Sequence, residues 1–429
     1  MKEKIRKFVK DFLAENPLKF GNIPASGKIY DHEELENLIE ASLEGWWTDN
    51  KWVGKFEKMI REFFGTKFAV SCNSGSSANL LAFSALTSKL LGDRRVVPGD
   101  EIITVAAGFP TTVNPILQHG CIPVFLDIDL HTLNVDTTKL EEALTEKTKA
   151  VMLAHTLGNP FDLQKIRDFC DKHNLWLIED NCDALGSKYN NKLTGTWGDM
   201  GTVSFYPAHH ITTGEGGVVV TDNVRLSKAL LSIRDWGRHC WCPTGKDNTC
   251  CMRFCWKNLG TLPEGYDHKF IYSELGYNLK MMDFNGAIGV AQMKKLKNFA
   301  EKRKENFEYM YKGMLEFGEF FHLPQATNGA EPSWFGFTLT IKDPNRIQRR
   351  DIINHLTEKK IGTRLLFAGN LTRQPYFTDY PERRFRIVGE LTNTDYVMNN
   401  TFWIGIYQGM NKKKIDYVLE TFKTFLHNK

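Results

Sequence analysis

The sequence contains no uninterrupted apolar run that approaches the roughly 18 residues needed for a membrane-spanning helix. Its N-terminal residues carry apolar side chains at the spacing of an amphipathic helix that ends before Pro17. They lack the continuous apolar core and the small-residue cleavage site of a secretory signal peptide. These absences predict a cytoplasmic protein without a membrane partner.

The sequence also has little excess charge, since 55 Lys and Arg residues face 51 Asp and Glu residues for a formal net charge of +4. The basic residues are spread along the chain, so no nucleic-acid partner is indicated. Repeats and low-complexity segments are absent. A length of 429 residues, with 42% hydrophobic and 25% charged residues, is typical of a globular chain with two or three domains.

Cysteine is uncommon, and the nine cysteines form an odd number, which excludes a fully paired disulfide framework. In a reducing compartment, cysteines are more often free thiols or metal ligands. The spacing of the cysteines can therefore indicate a metal centre.

The pattern of apolar residues predicts an α/β protein. Between residues 65 and 222, predicted strands alternate with helical segments, which favours βαβ units and a mostly parallel sheet; the strands are expected at 68–72, 101–106, 123–127, 150–155 and 175–180 and the helices at 76–91 and 163–173. The chain from about residue 295 is predicted to form a smaller α+β domain, with the division placed between 1–290 and 291–429. The longest irregular segment, 236–277, has a length usual for functional loops.

Three local motifs point to a bound anion and a ring. The run from Asn73 to Asn79 follows a strand and opens a helix, where backbone N–H groups favour an anion. Asp180 ends an inner strand, at the sheet edge where open α/β sheets bind ligands. Ordinary helix capping explains either motif equally well when each is taken alone. The third motif runs from Ser204 to Gly217 and joins a strand to a glycine-rich turn.

Together with 108–112, 123–127 and 276–278, these motifs resemble the DegT/DnrJ/EryC1/StrS family, the sugar-modifying branch of the fold type I pyridoxal-phosphate (PLP) aminotransferases. The resemblance extends from about Lys28 into the C-terminal domain. It implies a mostly parallel central sheet and a set of cofactor contacts: Asp180 to the pyridine nitrogen, Phe109 stacked on the ring, and Gly75, Ser76 and Ser204 around the phosphate. Asn278 is implied to reach the phosphate of a neighbouring subunit, which predicts a homodimer.

The pattern departs from the aminotransferases at His209, where the family carries the lysine that binds PLP covalently. An imidazole cannot form that bond, but a neutral histidine can move protons near pH 7. The departure resembles the pyridoxamine-phosphate (PMP)-dependent sugar 3-dehydrases and implies that His209 is the catalytic base; a degenerate homologue, or His210 as the relevant residue, are the alternatives. Asp183 is expected beside the 3-hydroxyl of the cofactor ring. Tyr206 is either a packing residue or an aid to electron or proton delivery.

Four cysteines, Cys182, Cys240, Cys242 and Cys250, have a spacing that resembles the iron–sulfur members of the 3-dehydrases. The resemblance implies a [2Fe–2S] cluster, which requires four ligands of this kind. A structural zinc site and unliganded thiols are the alternatives. Cys251 and Cys255 are alternative ligands in place of Cys250.

The resemblance as a whole implies an enzyme that removes the C3 hydroxyl of CDP-4-keto-6-deoxy-D-glucose in 3,6-dideoxysugar and lipopolysaccharide O-antigen biosynthesis. The expected electron donor is an NAD(P)H-dependent flavin and iron–sulfur reductase or a ferredoxin. One alternative is a glutamate-coupled 3-dehydratase or a sugar aminotransferase-like protein. Another is a catalytically silent protein that binds a sugar nucleotide or senses through an iron–sulfur centre.

Overall fold

The computed structural model describes residues 2–16, 22–257 and 259–427. Pro17, the predicted stop of the first helix, lies outside these residues, and that helix ends at Glu15. Within the described ranges, no helix combines the length and the apolar character needed to cross a bilayer.

The strands of the described residues form three sheets. Their bounds are β1 (Phe68–Cys72), β2 (Glu101–Val105), β3 (Ile122–Leu126), β4 (Thr148–Ala154), β5 (Trp176–Asp180), β6 (Lys188–Tyr189), β7 (Lys192–Leu193), β8 (Met200–Ser204), β9 (Gly217–Thr221), β10 (Phe321–His322), β11 (Ala330–Glu331), β12 (Gly336–Ile341), β13 (Thr363–Leu365), β14 (Arg386–Ile387) and β15 (Thr401–Gly405).

The α-helices of the same residues cover these sheets or lead between them. Their bounds are α1 (Lys2–Glu15), α2 (His32–Glu44), α3 (Lys51–Phe64), α4 (Gly75–Leu86), α5 (Pro110–Gln118), α6 (Leu140–Ala143), α7 (Leu163–Lys172), α8 (Val224–Arg234), α9 (Asp283–Met314), α10 (Arg349–Glu358), α11 (Pro375–Thr378), α12 (Thr392–Asn400) and α13 (Lys412–Leu426).

The largest sheet has eight strands in the order β1–β9–β8–β5–β4–β2–β3–β14. The strands from β8 to β14 are parallel to their neighbours, while β9 runs antiparallel to both β1 and β8. Hydrophobic cores lie against the sheet on both faces, so inner strands such as β5 and β9 are buried along their whole length. Burial on two faces explains why these strands read as continuous apolar runs.

The C-terminal part of the chain builds a second, antiparallel sheet in the order β10–β12–β15–β13. Its core includes Phe337, Phe402 and Phe422, which are fully buried between this sheet and the helices α9, α10 and α13. The short strand β14 leaves this region and joins the edge of the large sheet beside β3. The small third sheet has the order β11–β6–β7.

The predicted elements of the large sheet are present with ends that differ by one or two residues. The helix expected at 76–91 ends at Leu86, and a 3-10 turn follows from Lys89 to Arg94. The charged helix predicted from Lys294 begins eleven residues earlier, at Asp283, and so crosses the predicted division after residue 290. The division between 1–290 and 291–429 stays a prediction.

Two glycines explain why the sequence did not predict the first turns of α9. Glycine has a low helix propensity, so Gly286 and Gly289 obscured the helix in the sequence. A Cβ atom at Gly286 would lie 2.6 Å from the backbone nitrogen of Val53, and one at Gly289 would lie 2.7 Å from the ring of Phe56. The missing side chains therefore allow α3 to pack closely on α9.

Candidate functional site

A cavity of about 1580 Å³ opens at the carboxyl ends of β4, β5 and β8, beside the start of α4. Nine of the residues selected from the sequence line it: Gly75, Ser76, Phe109, Asp180, Cys182, Asp183, Ser204, Tyr206 and His209. Cys240, Cys242, Cys250 and Asn278 are not among the lining residues. The position agrees with the rule that open α/β sheets bind ligands beyond the carboxyl ends of their strands.

The start of α4 forms one end of the cavity. Ser74 caps the helix by accepting a hydrogen bond from the Ser77 N–H at 3.0 Å. The strand β8 ends directly beside it, and a Cβ atom at Gly75 would lie 2.3 Å from the Cβ of Ser204. Gly75 is therefore required for the close approach that brings the Ser204 hydroxyl next to the helix N-terminus. Such an arrangement of N–H and hydroxyl donors suits a phosphate group.

Asp180 lies at the base of the cavity and is only 5% exposed. Its Oδ2 accepts hydrogen bonds from Asn79 Nδ2 and Thr112 Oγ1, both at 2.7 Å, and its Oδ1 accepts one from the Cys182 N–H at 3.2 Å. All three donors are neutral. A buried carboxylate held in this way can receive the protonated nitrogen of a pyridine ring as a charged partner.

The ring of Phe109 forms part of the cavity wall. Phe109 precedes the first residue of α5, is half exposed, and meets Phe367 edge-on at a centroid distance of 6.3 Å. An exposed aromatic face at this place is available for stacking on a flat ligand.

His209 lines the cavity, whereas His210 is turned into the protein interior. The Nδ1 atom of His209 lies 3.3 Å from Oδ1 of Asp183, although the direction of this contact is not that of a hydrogen bond. The ring of Phe335 packs at a tilt against the imidazole at 5.2 Å, and Tyr206 meets it edge-on at 6.4 Å. The sequence did not indicate Phe335, because it lies 126 residues further along the chain with no motif around it.

His210 cannot serve as the cavity base in this arrangement. Its ring is fully buried, and Nε2 donates a hydrogen bond to the Ser333 carbonyl at 2.7 Å. Desolvation, reinforced by the charge of Arg303, holds the pKa of His210 well below its usual value. His210 is therefore a neutral side chain that anchors its own backbone.

The surroundings of Cys182 differ from those of the other three selected cysteines. It lines the large cavity, and desolvation together with the Asp180 carboxylate raises the pKa of its thiol. The structure groups Cys240, Cys250 and His268, whose ligand atoms lie within 4.8 Å of one another, and Cys182 is not a member of that group.

The loop 236–277 holds three of the four selected sulfurs together. Cys240 Sγ accepts a hydrogen bond from the Cys242 N–H at 3.4 Å, and Cys250 Sγ lies 3.5 Å from His268 Nδ1. Desolvation raises the pKa of Cys240 to about 11. At Cys242, desolvation is outweighed by hydrogen bonds from Thr249, Cys250 and Cys240, and these lower the pKa of Cys242 to about 7. A thiol that ionises near neutral pH is suited to bind a metal.

The two remaining cysteines of this loop lie outside the sulfur group, which consists of Cys240, Cys250 and His268. Cys251 and Cys255 are exposed and do not belong to it, so the geometry favours Cys250 over either of them. His268 was not selected from the sequence, because it lies 18 residues beyond Cys250 and outside any recognisable metal-binding spacing.

Asn278 does not line the cavity of its own chain. It forms an isolated bridge with Asp235, and its Oδ1 accepts a hydrogen bond from Lys280 Nζ at 2.6 Å.

The chain is similar to known sugar-modifying proteins over almost its whole length. Residues 28–423 match the model of the DegT/DnrJ/EryC1/StrS aminotransferase family. The lipopolysaccharide biosynthesis protein RfbH of Salmonella typhimurium is 53% identical over 98% of this chain and 96% of that protein. The dTDP-4-dehydro-2,6-dideoxy-D-glucose 3-dehydratase of Saccharopolyspora spinosa is 48% identical over 94% of this chain and 86% of its own length.

The fold is also shared with solved structures. A structure of GDP-4-keto-6-deoxymannose-3-dehydratase with a trapped PLP–glutamate geminal diamine matches with a TM-score of 0.82 at 32% identity, over 93% of this chain and 100% of that one. The predicted fold, that of a fold type I PLP-dependent aminotransferase with a mostly parallel central sheet, is confirmed. The chain belongs to the DegT/DnrJ/EryC1/StrS aminotransferase family.

Proposed function

We propose that the protein is a PMP-dependent sugar-nucleotide 3-dehydrase in which His209 moves the proton. The observation that carries the proposal is the cavity imidazole beside Asp183, at the position where aminotransferases of the family carry their cofactor-binding lysine. Relatives whose names describe 3-dehydratases and lipopolysaccharide biosynthesis support this class of reaction.

The cavity residues fit a phosphorylated pyridine cofactor. The N–H groups of Gly75 and Ser76, with the Ser204 hydroxyl, would hold the phosphate. Asp180, which has only neutral hydrogen-bond donors, would pair with the protonated ring nitrogen, and Phe109 would stack on the ring. When bound, the cofactor supplies an electron sink that makes loss of a proton from its attached carbon feasible.

His209 and Asp183 would act as a pair. A carboxylate next to Nδ1 favours the tautomer that carries its proton on Nδ1, which leaves Nε2 as the basic nitrogen. Nε2 would take a proton from the carbon next to the cofactor amine and deliver it to the departing C3 hydroxyl of the sugar. One imidazole can do both because the two proton transfers follow each other in the same cavity.

The test of this function is dehydration by purified protein loaded with PMP. Loss of the C3 hydroxyl is followed by mass spectrometry with CDP-, dTDP- and GDP-linked 4-keto-6-deoxy sugars. We expect turnover by the native chain and a decrease of about 10²-fold to 10⁴-fold in His209→Asn, the range typical of a general base. Sugar-nucleotide binding without loss of the hydroxyl would instead support a silent binding or sensor protein.

We propose CDP-4-keto-6-deoxy-D-glucose as the substrate, an assignment carried by the resemblance to the iron–sulfur 3-dehydrases. A higher kcat/KM with the dTDP- or GDP-linked sugar in the same panel would reject this substrate while leaving the dehydrase function intact.

We further propose a [2Fe–2S] cluster bound by Cys182, Cys240, Cys242 and Cys250, which would receive electrons one at a time from an NAD(P)H-dependent reductase or a ferredoxin. The proximity of Cys240, Cys250 and His268, the hydrogen bond from the Cys242 N–H to Cys240 Sγ and the lowered pKa of Cys242 support a metal centre in the loop. Cys182 lines the cavity and would tie the cluster to the cofactor site, while Cys240, Cys242 and Cys250 lie together in the loop.

Iron and acid-labile sulfide, measured on anaerobically purified protein, test the cluster. We expect Cys240→Ser to lose iron and reductase-dependent product while keeping PMP binding. Cys255→Ser is the matched control, since Cys255 is exposed and lies outside the sulfur group. Zinc in place of iron, or a native chain without any metal, would reject the cluster.

A glutamate-coupled 3-dehydratase is the second candidate. It is favoured by the similar structure that holds a PLP–glutamate geminal diamine. Turnover with glutamate and without any reductase would establish it.

We also propose a homodimer in which Asn278 reaches the cofactor phosphate of the neighbouring subunit. Two observations support this: Asn278 does not line its own cavity, and the nearby loop exposes apolar side chains such as Phe270, Tyr272 and Leu275.

A further inference from the structure

Arg303 is a buried cation behind the catalytic turn. It lies in α9, and its side chain is fully buried. In the described part of the chain, no carboxylate oxygen lies within 4.0 Å of its guanidinium, in contrast to the buried Arg234, which pairs with three acidic groups. A buried charge without an acidic partner is costly, so the contacts that Arg303 does make are informative.

The guanidinium is bound by backbone carbonyl groups from three segments. Nη1 donates to Ile406 O at 2.7 Å, to Trp334 O at 3.2 Å and to Phe335 O at 3.4 Å. Nη2 donates to the carbonyl of His209 at 3.4 Å. The fork of Arg303 thus ties the turn that carries His209 to the entrance of β12 and to the end of β15.

The same segment holds the His209 turn at two further points. The neighbouring His210 ring donates to the Ser333 carbonyl, and the Phe335 ring packs against the His209 imidazole. Asp183, whose Oδ1 lies 3.3 Å from His209 Nδ1, opposes the desolvation that lowers the pKa of Arg303 to about 9. The position of segment 333–335 therefore sets both the ring that packs against the His209 imidazole and the anchor of the neighbouring His210.

We propose that Arg303 is a positioning residue for His209, which fixes the catalytic turn against segment 333–335 so that the imidazole keeps its orientation toward the cavity. The inference rests on the proposed role of His209 and extends it to a residue outside the cavity. A planar fork that reaches several carbonyl groups at once is specific to arginine, and a lysine at this place can satisfy only part of the set.

The variants that test this are Arg303→Met, which removes the charge and the fork, and Arg303→Lys, which keeps the charge. Lys302→Met is the matched control, because Lys302 precedes Arg303 in α9 but has a half-exposed side chain that pairs with Glu305 on the surface. The first measurement is exchange of the cofactor methylene hydrogen with deuterated water in protein loaded with PMP, which needs neither a sugar nor a reductase.

We expect exchange to slow at least tenfold in Arg303→Met with PMP affinity within threefold of native, partial recovery in Arg303→Lys, and native rates in Lys302→Met. Native exchange in Arg303→Met would overturn the proposal. So would equal losses of PMP affinity, thermal stability and exchange in Arg303→Met and Arg303→Lys, since these would indicate a role in folding alone.

A second measurement separates this proposal from the function of His209. The imidazole nitrogen resonances of His209 are followed in full-length protein labelled with ¹⁵N-histidine and are assigned with His209→Asn. We expect Arg303→Lys to shift or broaden the His209 resonances, while Lys302→Met leaves them unchanged. If native protein fails to exchange the methylene hydrogen but the resonances respond in this way, the positioning role stands and the proposed function fails. Unchanged resonances would reject the positioning role.

Discussion

A single side chain at position 209 separates two kinds of chemistry on one fold. A lysine amine can bind a pyridoxal carbonyl covalently, whereas an imidazole can only donate or accept a proton. Nδ1 of His209 lies 3.3 Å from Oδ1 of Asp183, and the second role is the one proposed for this imidazole.

This argument predicts the behaviour of His209→Lys. The new amine would hold the pyridoxal form of the cofactor covalently, and dehydration would fall by at least about 10²-fold because the general base is missing. Borohydride reduction followed by peptide mass spectrometry would find the cofactor mass on residue 209. Dehydration at the native rate would contradict the role given to His209.

The carboxyl group of Asp49 should make the free energy of unfolding depend on pH, and this can be measured without an activity assay. Desolvation, aided by the charges of Glu57 and Asp235, raises the pKa of this carboxyl from 3.8 to about 6, although Arg234 Nη2 donates to it at 3.0 Å. The folded state therefore binds the proton more tightly than the unfolded chain, so the stability that Asp49 contributes falls as the pH rises from about 4 to about 6.

We expect Asp49→Asn to remove this dependence, since an amide can still accept the hydrogen bond from Arg234 but does not ionise. Relative to the variant, the native free energy of unfolding should fall by about 1 to 2 kcal/mol between pH 5 and pH 7.5. Urea unfolding at the two pH values measures it. Parallel pH profiles for the two proteins would show that Asp49 titrates normally.

At the scale of elements, the contact of α3 with α9 depends on positions without side chains. Asp283, the first residue of α9, accepts hydrogen bonds from the N–H groups of Asn50 and Val53, each at 3.0 Å, and so caps α3 from another part of the chain. Gly286 lets the two helices approach at the same place.

Replacement by alanine is predicted to change the stability of the protein in opposite directions at two helical glycines. Gly286→Ala should destabilise the protein by about 1 to 3 kcal/mol, because its Cβ would lie 2.6 Å from the Val53 backbone nitrogen. Gly54→Ala in α3 should stabilise it by about 0.5 to 1 kcal/mol, because no atom lies within 4 Å of the added Cβ and alanine favours the helix. Thermal or chemical unfolding of the pair measures both effects, and changes of the same sign would refute the packing argument.

The arrangement of side chains in the loop 236–277 could not be predicted from helix and strand patterns. The length of the loop predicted a functional segment. The contact between Cys250 and His268, however, depends on a backbone path that no periodic pattern describes. The sequence therefore selected candidate sulfurs and did not indicate how they are arranged.

For the whole molecule, the proposed dimer predicts a shared site. Asn278→Asp would place a negative charge against the cofactor phosphate of the neighbouring subunit, so PMP affinity should fall at least tenfold while the dimer remains. Sedimentation and PMP titration measure the two properties, and Asn248→Asp in the loop is a control that also adds one charge. A native chain that sediments as a monomer, or unchanged PMP affinity in Asn278→Asp, would contradict the shared site.

The amino-acid sequence by itself determined the alternation of strands and helices that indicates an α/β fold, the family motifs and the histidine at position 209, because apolar periodicity and motif spacing are local properties of the chain. Only the tertiary structure decided that His209 and not His210 faces the cavity and that Arg303 lies behind the His209 turn. These outcomes depend on side-chain directions and on contacts between residues more than 50 positions apart, which packing sets and local patterns do not encode.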